Sequence, residues 1–357
     1  MPIITVPAVR AGFFPLDEQL QLGAHSWTPE SIKQALGLGV EIASYRRAAK
    51  RFEALTKLPL SKSSLVRLLK EYGAQLVAQQ AAEAEATVKA PERGEEITWR
   101  AIPEPDSEVM AVSIDGVLIN LREEGWTEVK VVSISAVEAE VQLERDEEKE
   151  VRLTQHSYRA GLWPAKEFAK HQWAEACRRG LEKAKTIVSV KDGAAWIWLI
   201  IAMCYAPCIE IIDWWHLVEK VWAAAHSLWG QQEPQAAAWV NQLKSLLWTG
   251  QLRAVIHQVR QACPRGQPLS DQVRTMAHYI FHHRQRMHYQ HYRQAGYPLG
   301  SGSVESGCKV VVQQRMKQAG MRWSREGAQA MLALRSILLS ERWDTVWASL
   351  FRVPILA

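Results

Sequence analysis

The hydrophobic period of this chain changes twice along its length, which restricts the folds open to it. Residues 109–118 and 127–137 are rich in Val, Ile and Ser, and the polar residues 122–125 separate them. Two strands with a hairpin-like connection are expected there, followed by a third short strand near 151–153. Residues 163–181 have helical spacing, with Gly180 near their end. Residues 186–190 read as a strand stopped by Lys191, Asp192 and Gly193, and 194–205 as a buried helix. A strand at 208–212 and a helix at 214–228 complete the series. Three strands, then helix, strand, helix, strand, helix, is a mixed α/β order.

The sequence on either side is helical. Tyr45, Ala48, Ala49, Phe52 and Leu55 recur at helical spacing, with Arg46, Arg47, Lys50 and Arg51 on the other side. Pro59 cannot continue that helix. Ser61 offers a cap for a second one carrying Leu65, Leu69, Tyr72 and Leu76. Helix, break, helix is compatible with a DNA-reading helix-turn-helix, although most helical hairpins bind no DNA. Residues 79–100 read as a helical tail and linker. Residues 231–293 carry no strand period, and from the Gly/Ser-rich turn at 297–302 a helix is expected to run through Leu339. The expected divisions are a helical amino-terminal region and linker (1–100), the first part of an α/β core (101–230), an all-helical insertion (231–293) and a carboxy-terminal helical part of the core (294–357).

Charge narrows the partner. The net charge is only +5, but residues 81–150 carry 7 Lys and Arg against 19 Asp and Glu, while residues 241–340 carry 14 against 3. A basic third on a nearly neutral chain points to a polyanion, although two such segments can also face each other. The longest apolar run, near 194–206, falls short of the ~20 residues of a membrane span. No basic and apolar leader follows Met1, and five cysteines at irregular spacing suggest a reducing, cytoplasmic setting.

Three acids occupy places where chemistry can sit. Asp115 is expected near the end of one strand and Asp192 directly after another, where open α/β sheets bind ligands. Asp-Gly is also a common turn dipeptide, so each has a bland alternative. Glu305 falls in the first turn of the helix after Gly302, where capping would explain it equally well. Together, carboxylates on two strand ends and a helix are what a paired Mg²⁺ site requires. His282, His283, His288 and His291 suggest either zinc or a DNA-facing basic helix. Most of the 16 Trp are expected in the core; Trp323, flanked by Arg322 and Arg325, is the candidate for DNA contact.

The strings Ser113-Ile-Asp-Gly116, Trp126-Thr-Glu-Val-Lys130, Lys191-Asp-Gly-Ala-Ala-Trp196, Ile212-Asp-Trp-Trp-His216 and Gly300-Ser-Gly-Ser-Val-Glu-Ser306 occur in one order, followed by Arg315-Met-Lys-Gln-Ala-Gly-Met-Arg-Trp323. This series resembles bacterial insertion-sequence transposases of the ISKra type, related to the Mutator-like group, over roughly residues 44–347. The resemblance implies an RNase H-like mixed sheet flanked by helices, an all-helical insertion and an amino-terminal helix-turn-helix-like region. It implies that Asp115, Asp192 and Glu305 form an Asp-Asp-Glu triad holding two Mg²⁺ ions, with Mn²⁺ a possible substitute. Asp213 and His216 match the family's C/DxxH motif; their i, i+3 spacing would put both on one helical face, where they would orient DNA or buttress the triad, the alternative being a plain capping Asp213 with a surface His216. The implied activity is cleavage of double-stranded DNA at transposon terminal repeats and strand transfer into target DNA. Lys309, Arg315, Lys317, Arg322 and Trp323 would contact the backbone, and Arg46, Arg47, Lys62 and Lys70 would help recognise the repeats. A homodimer at synapsis and a bacterial, nucleoid-associated location also follow from the resemblance. The alternatives are a catalytically silent DNA-binding protein and an RNase H-like nuclease or resolvase without strand transfer.

Overall fold

A mixed five-stranded sheet, in the order β3-β2-β1-β4-β5, organises the centre of the chain. The computed structural model describes residues 22, 27–93, 107–141, 149–231, 233–262 and 268–350. The strands are β1 (Val109–Leu121), β2 (Gly125–Val141), β3 (Lys149–Gly161), β4 (Thr186–Lys191) and β5 (Ile209–Ile212). β2 and β3 are antiparallel, while β1 runs parallel to β4 and β4 to β5. This is the mixed α/β arrangement read from the sequence, and it is compatible with an RNase H-like fold.

The chain divides into two compact units, one of residues 82–118 and 128–309, the other of residues 1–81, 119–127 and 310–357. The first contains most of the sheet. On one face Met110, Val112 and Ile114 of β1 pack with Phe168 and Ala169 of α4 (Ala165–Arg178) and Ile197, Ile200 and Ile201 of α5 (Ala195–Cys204). On the other face Val188, Val190, Ile211 and Ile212 pack against α6 (Trp214–Trp229), α7 (Pro234–Trp248), α8 (Leu252–Ala262), α9 (Asp271–His283) and α10 (Tyr289–Ala295). Alternate strand residues point to opposite faces, and since Val188, Ser189, Val190 and Lys191 are all buried, both faces of β4 are covered. Every element between Glu233 and Arg293 is helical among the described residues.

The second unit holds α1 (Pro29–Glu41), α2 (Tyr45–Thr56) and the first part of α3 (Lys62–Arg93). It also holds α12 (Gln314–Met316), α13 (Arg325–Leu339) and α14 (Trp343–Leu350). Lys57 takes a left-handed conformation after α2, and the Ser61 hydroxyl accepts the Ser64 N–H to start α3. Two buried guanidiniums secure the carboxyl end of α1. Arg315 donates through Nε and Nη2 to the Gly39 carbonyl at 3.3 and 3.0 Å, and Arg335 donates from Nη1 to the Val40 carbonyl at 2.8 Å. Carbonyls in the last turn of a helix lack helical partners and carry negative dipole charge, which cations there satisfy.

Several expectations change. β1 continues to Leu121, so Asp115 lies within the strand and not at its end. Gly116 reads as a turn residue but is a strand residue covered by Glu128, whose carboxylate a Cβ there would strike. β3 is 13 residues long where a short strand was expected, and α3 is a single 32-residue helix that absorbs most of the expected tail. The helix through Leu339 is broken: after Met316 the chain turns and Trp323 bridges to Leu121. α5 is not fully buried, since Leu199 and Met203 are 70% and 64% exposed. Among the described residues no helix is long and apolar enough to cross a membrane.

Candidate metal centre

The first two acids come together in one cavity. Val109–Ala111 of β1 pair in parallel with Thr186–Val188 of β4, and farther along Asp115, within β1, and Asp192, just after β4, line the same cavity. Asp115 is half-buried, accepting the Gly116 N–H at 2.7 Å and approached by the Cys308 thiol at 3.6 Å. Burial raises its pKa, and the negative charges of Asp192 and Glu305 raise it further against those two donors. Asp192 accepts the Ala194 N–H at 3.0 Å, so it opens the turn into α5, and its own carbonyl receives the Tyr279 hydroxyl at 2.7 Å. One carboxylate oxygen has a turn role; the side chain still lines the cavity.

Glu305 arrives on α11 (Gly302–Gly307), which continues as a π-helical turn, Cys308–Gln313. Gly307 lets this helix lie against β3: a Cβ there would sit 2.9 Å from the Tyr158 ring. In a capping box Glu305 would accept the N–H of the cap residue, Ser301. That N–H is instead donated to Asp213 Oδ2 at 2.5 Å, and Glu305 accepts only the Ser301 hydroxyl, at 2.6 Å. Its carboxylate remains exposed.

Asp213 and His216 do not share a helical face. Asp213 is the fully buried N-cap of α6, accepting the Trp215 and His216 N–H groups at 2.7 and 2.9 Å. Burial alone would raise its pKa, but the donors from His216 and Ser301 outweigh it and hold the carboxyl down at about 2. His216 Nδ1 lies 3.4 Å from Asp213 Oδ1, and this partner lifts the imidazole to about 9 despite partial burial. Asp213 thereby ties the start of α6 to the turn that carries Glu305. One ligand atom each from Asp213, His216 and Glu305 lies within 4.8 Å of the others, so these three could hold one metal ion. Asp213, however, already spends both oxygens on backbone N–H groups. None of His282, His283, His288 and His291 belongs to this set, and His283 is instead buried against Trp198, where desolvation lowers it to about 4.

Asp115, Asp192, Glu219 and Glu305 line one cavity of about 560 Å³, together with His216 and the backbone of residues 300–304. Among the described residues no Lys or Arg lines it. The charges of Asp192 and Glu305 act against ionisation of Asp115; the charged His216 offsets part of this, and divalent cations taking oxygen ligands relieve the repulsion that remains. The donor set, mostly carboxylate oxygen, fits hard cations; the Cys308 sulfur beside Asp115 is a protonated thiol whose pKa burial raises, so it is a poor ligand for a structural zinc. Sequence reasoning missed Glu219, whose i, i+3 spacing from His216 on α6 was its only signal. It also missed Cys308 and Ser301, which matter through contacts that no local pattern reveals.

Two residues expected on an exposed DNA-contacting surface are buried. Arg315 is 1% exposed and holds α1, stacked against Tyr45, so it cannot join an exposed row of phosphate-binding cations. Trp323 is 7% exposed and donates its indole N–H to the Met316 carbonyl at 3.0 Å. Arg46, Arg47, Lys62, Lys70, Lys309, Lys317 and Arg322 are exposed.

No protein-family model and no curated protein matches the chain. Among solved structures it has a distant likeness to a Drosophila P element transposase strand transfer complex. The TM-score is 0.27 at 8% identity, over 94% of this chain and 84% of the other. A likeness of this size carries no functional weight.

The Asp213–His216 pair makes a pH prediction. A folded-state imidazole pKa near 9, above the ordinary 6.5, means that the folded protein holds this proton more tightly. Its contribution to stability is complete below about pH 6.5 and drains away as pH rises through 9. Thermal unfolding of His216→Gln should therefore lose most against wild type at pH 6 and match it more closely at pH 9.5. A gap that is constant over that range would mean the pair does not titrate as described.

Proposed function

We propose that this chain is a divalent-cation-dependent DNA-cleaving and strand-transferring enzyme, in keeping with its sequence resemblance to ISKra-type transposases. The observation that carries the proposal is the convergence of four carboxylates on one cavity with no Lys or Arg among its described lining residues. Asp115, Asp192 and Glu305 would hold the cations. When bound, a pair of Mg²⁺ ions supplies activation of the attacking oxygen and stabilisation of the leaving oxygen of a phosphodiester. The chain's own residues fix the geometry. β1 and the turn after β4 would present Asp115 and Asp192 to the same cavity, and Asp213, through Ser301, would hold the turn from which Glu305 projects. Asp213 and His216 act as positioning residues. Exposed Lys309, Lys317 and Arg322 would neutralise backbone phosphates without reading sequence, and Arg46, Arg47, Lys62 and Lys70 would engage the terminal repeats. Two chains would meet at synapsis.

The test is a cleavage-and-joining assay with duplexes taken from the flanks of the gene, with Mg²⁺, Mn²⁺ or EDTA. Metal-dependent cleavage followed by joining of the freed 3′ ends is expected. Cleaved ends that are never joined would reduce the activity to that of a nuclease. DNA binding without any cleavage would make the protein a silent DNA-binding one.

A further inference from the structure

A second cavity, of about 360 Å³, lies wholly within the unit formed by residues 1–81, 119–127 and 310–357. Its lining is unlike that of the acidic one. Lys70, Arg122, Arg322 and the buried Arg315 contribute four cations, Tyr45 and Trp323 contribute aromatic rings, and no Asp or Glu takes part. Val66, Leu69 and Met331 add apolar wall. The rings of Tyr45 and Trp323 stand edge to face at 6.4 Å. The Arg315 guanidinium lies over both rings, 4.6 Å from the Tyr45 centroid and 5.4 Å from that of Trp323. The mouth is built and not adventitious: the Trp323 N–H donates to the Asn120 carbonyl at 3.0 Å, and the Arg122 N–H to the Trp323 carbonyl at 2.9 Å. These bonds hold Arg122 and Arg322, from distant parts of the sequence, beside each other.

Uncompensated cations beside aromatic and apolar wall match a ligand that is anionic at one end and flat and apolar at the other. A lone phosphate would leave the apolar wall unused, and a duplex backbone running past would not enter a concave pocket. We propose that this cavity binds a single unpaired nucleotide, its base against the aromatic and apolar wall and its phosphate against Arg122, Arg322 and Lys70. That the nucleotide belongs to a DNA strand rests on the function proposed above; the preference for a nucleotide does not.

The experiment uses the full chain in EDTA, so that the acidic cavity takes no part. Hairpin duplexes, blunt or carrying one unpaired 2-aminopurine nucleotide at the 3′ or the 5′ end, are titrated by anisotropy and base fluorescence. One overhang should bind about tenfold tighter than the blunt duplex, the scale of one stacked base, with a change in 2-aminopurine emission. Arg122→Gln/Arg322→Gln, which alters only exposed side chains, should abolish that preference. Arg315 is left intact because it secures α1. Equal affinity for all three duplexes would overturn the proposal. A free deoxynucleoside monophosphate that saturates the wild type but not the double variant, with no overhang preference, would overturn the strand assignment in favour of a soluble nucleotide. Metal-dependent cleavage is measured separately, so either outcome leaves the acidic site to stand or fall alone.

Discussion

Asp192→Asn should lose metal-dependent DNA cleavage by several orders of magnitude while keeping its melting temperature and its affinity for duplex DNA. The turn into α5 needs only one acceptor oxygen for the Ala194 N–H, and an amide supplies it. What the substitution removes is a negative charge facing Asp115, so Asp115 should also ionise more readily. Asp115→Asn and Glu305→Gln should behave alike. The Glu305 variant separates two roles cleanly, because its carboxylate makes no capping bond and accepts only the Ser301 hydroxyl. A residue with a merely local role would tolerate the amide, and near-wild-type cleavage by Glu305→Gln would move the third ligand elsewhere, with Glu219 as the neighbour to test.

The largest expected loss of stability lies away from the cavity. Arg159 of β3 is buried, with Nη2 3.4 Å from Glu175 of α4 and 3.6 Å from Glu83 of α3. Glu175 is 0% exposed and also accepts the Ser157 hydroxyl. Glu175→Ala strands a guanidinium in the interior, and breaking a buried pair from one side costs about 3–5 kcal/mol. Replacing Arg159 and Glu175 together by Met should restore much of that, since no lone charge then remains. Urea unfolding of the three proteins measures both effects. A loss below about 1 kcal/mol for Glu175→Ala would show that Glu83 alone satisfies Arg159.

Strand order and the helix–strand alternation were legible because β4, β5 and the first two strands carry strong apolar patterns bounded by turn residues. β3 was legible only as a short stub, because its polar and charged residues, Arg152, Thr154, Gln155, His156 and Arg159, hide the pattern. The three acids were visible from their surroundings in the sequence, whereas their spatial relation depends on the register of a parallel pair that no local pattern encodes. Asp213 shows the same limit. Of the two readings its sequence allowed, the cap is the one found, while its reach of 88 positions along the chain to Ser301 had no local signal. Arg315 and Trp323 looked like surface contacts because they sit among other cations. Burial there follows from the open carbonyls of α1, whose need for donors can be seen only once the fold has brought Gly39 alongside.

Binding of Mn²⁺, followed by electron paramagnetic resonance with Mg²⁺ as competitor, distinguishes the two places where a cation could sit. Wild-type protein should bind Mn²⁺ that Mg²⁺ displaces, Asp115→Asn and Asp192→Asn should each weaken that binding at least tenfold, and His216→Gln should leave it nearly intact. Binding that survives both aspartate substitutions but is lost in His216→Gln would place the ion between Asp213, His216 and Glu305 and contradict the assignment of the acidic cavity as a paired-cation site.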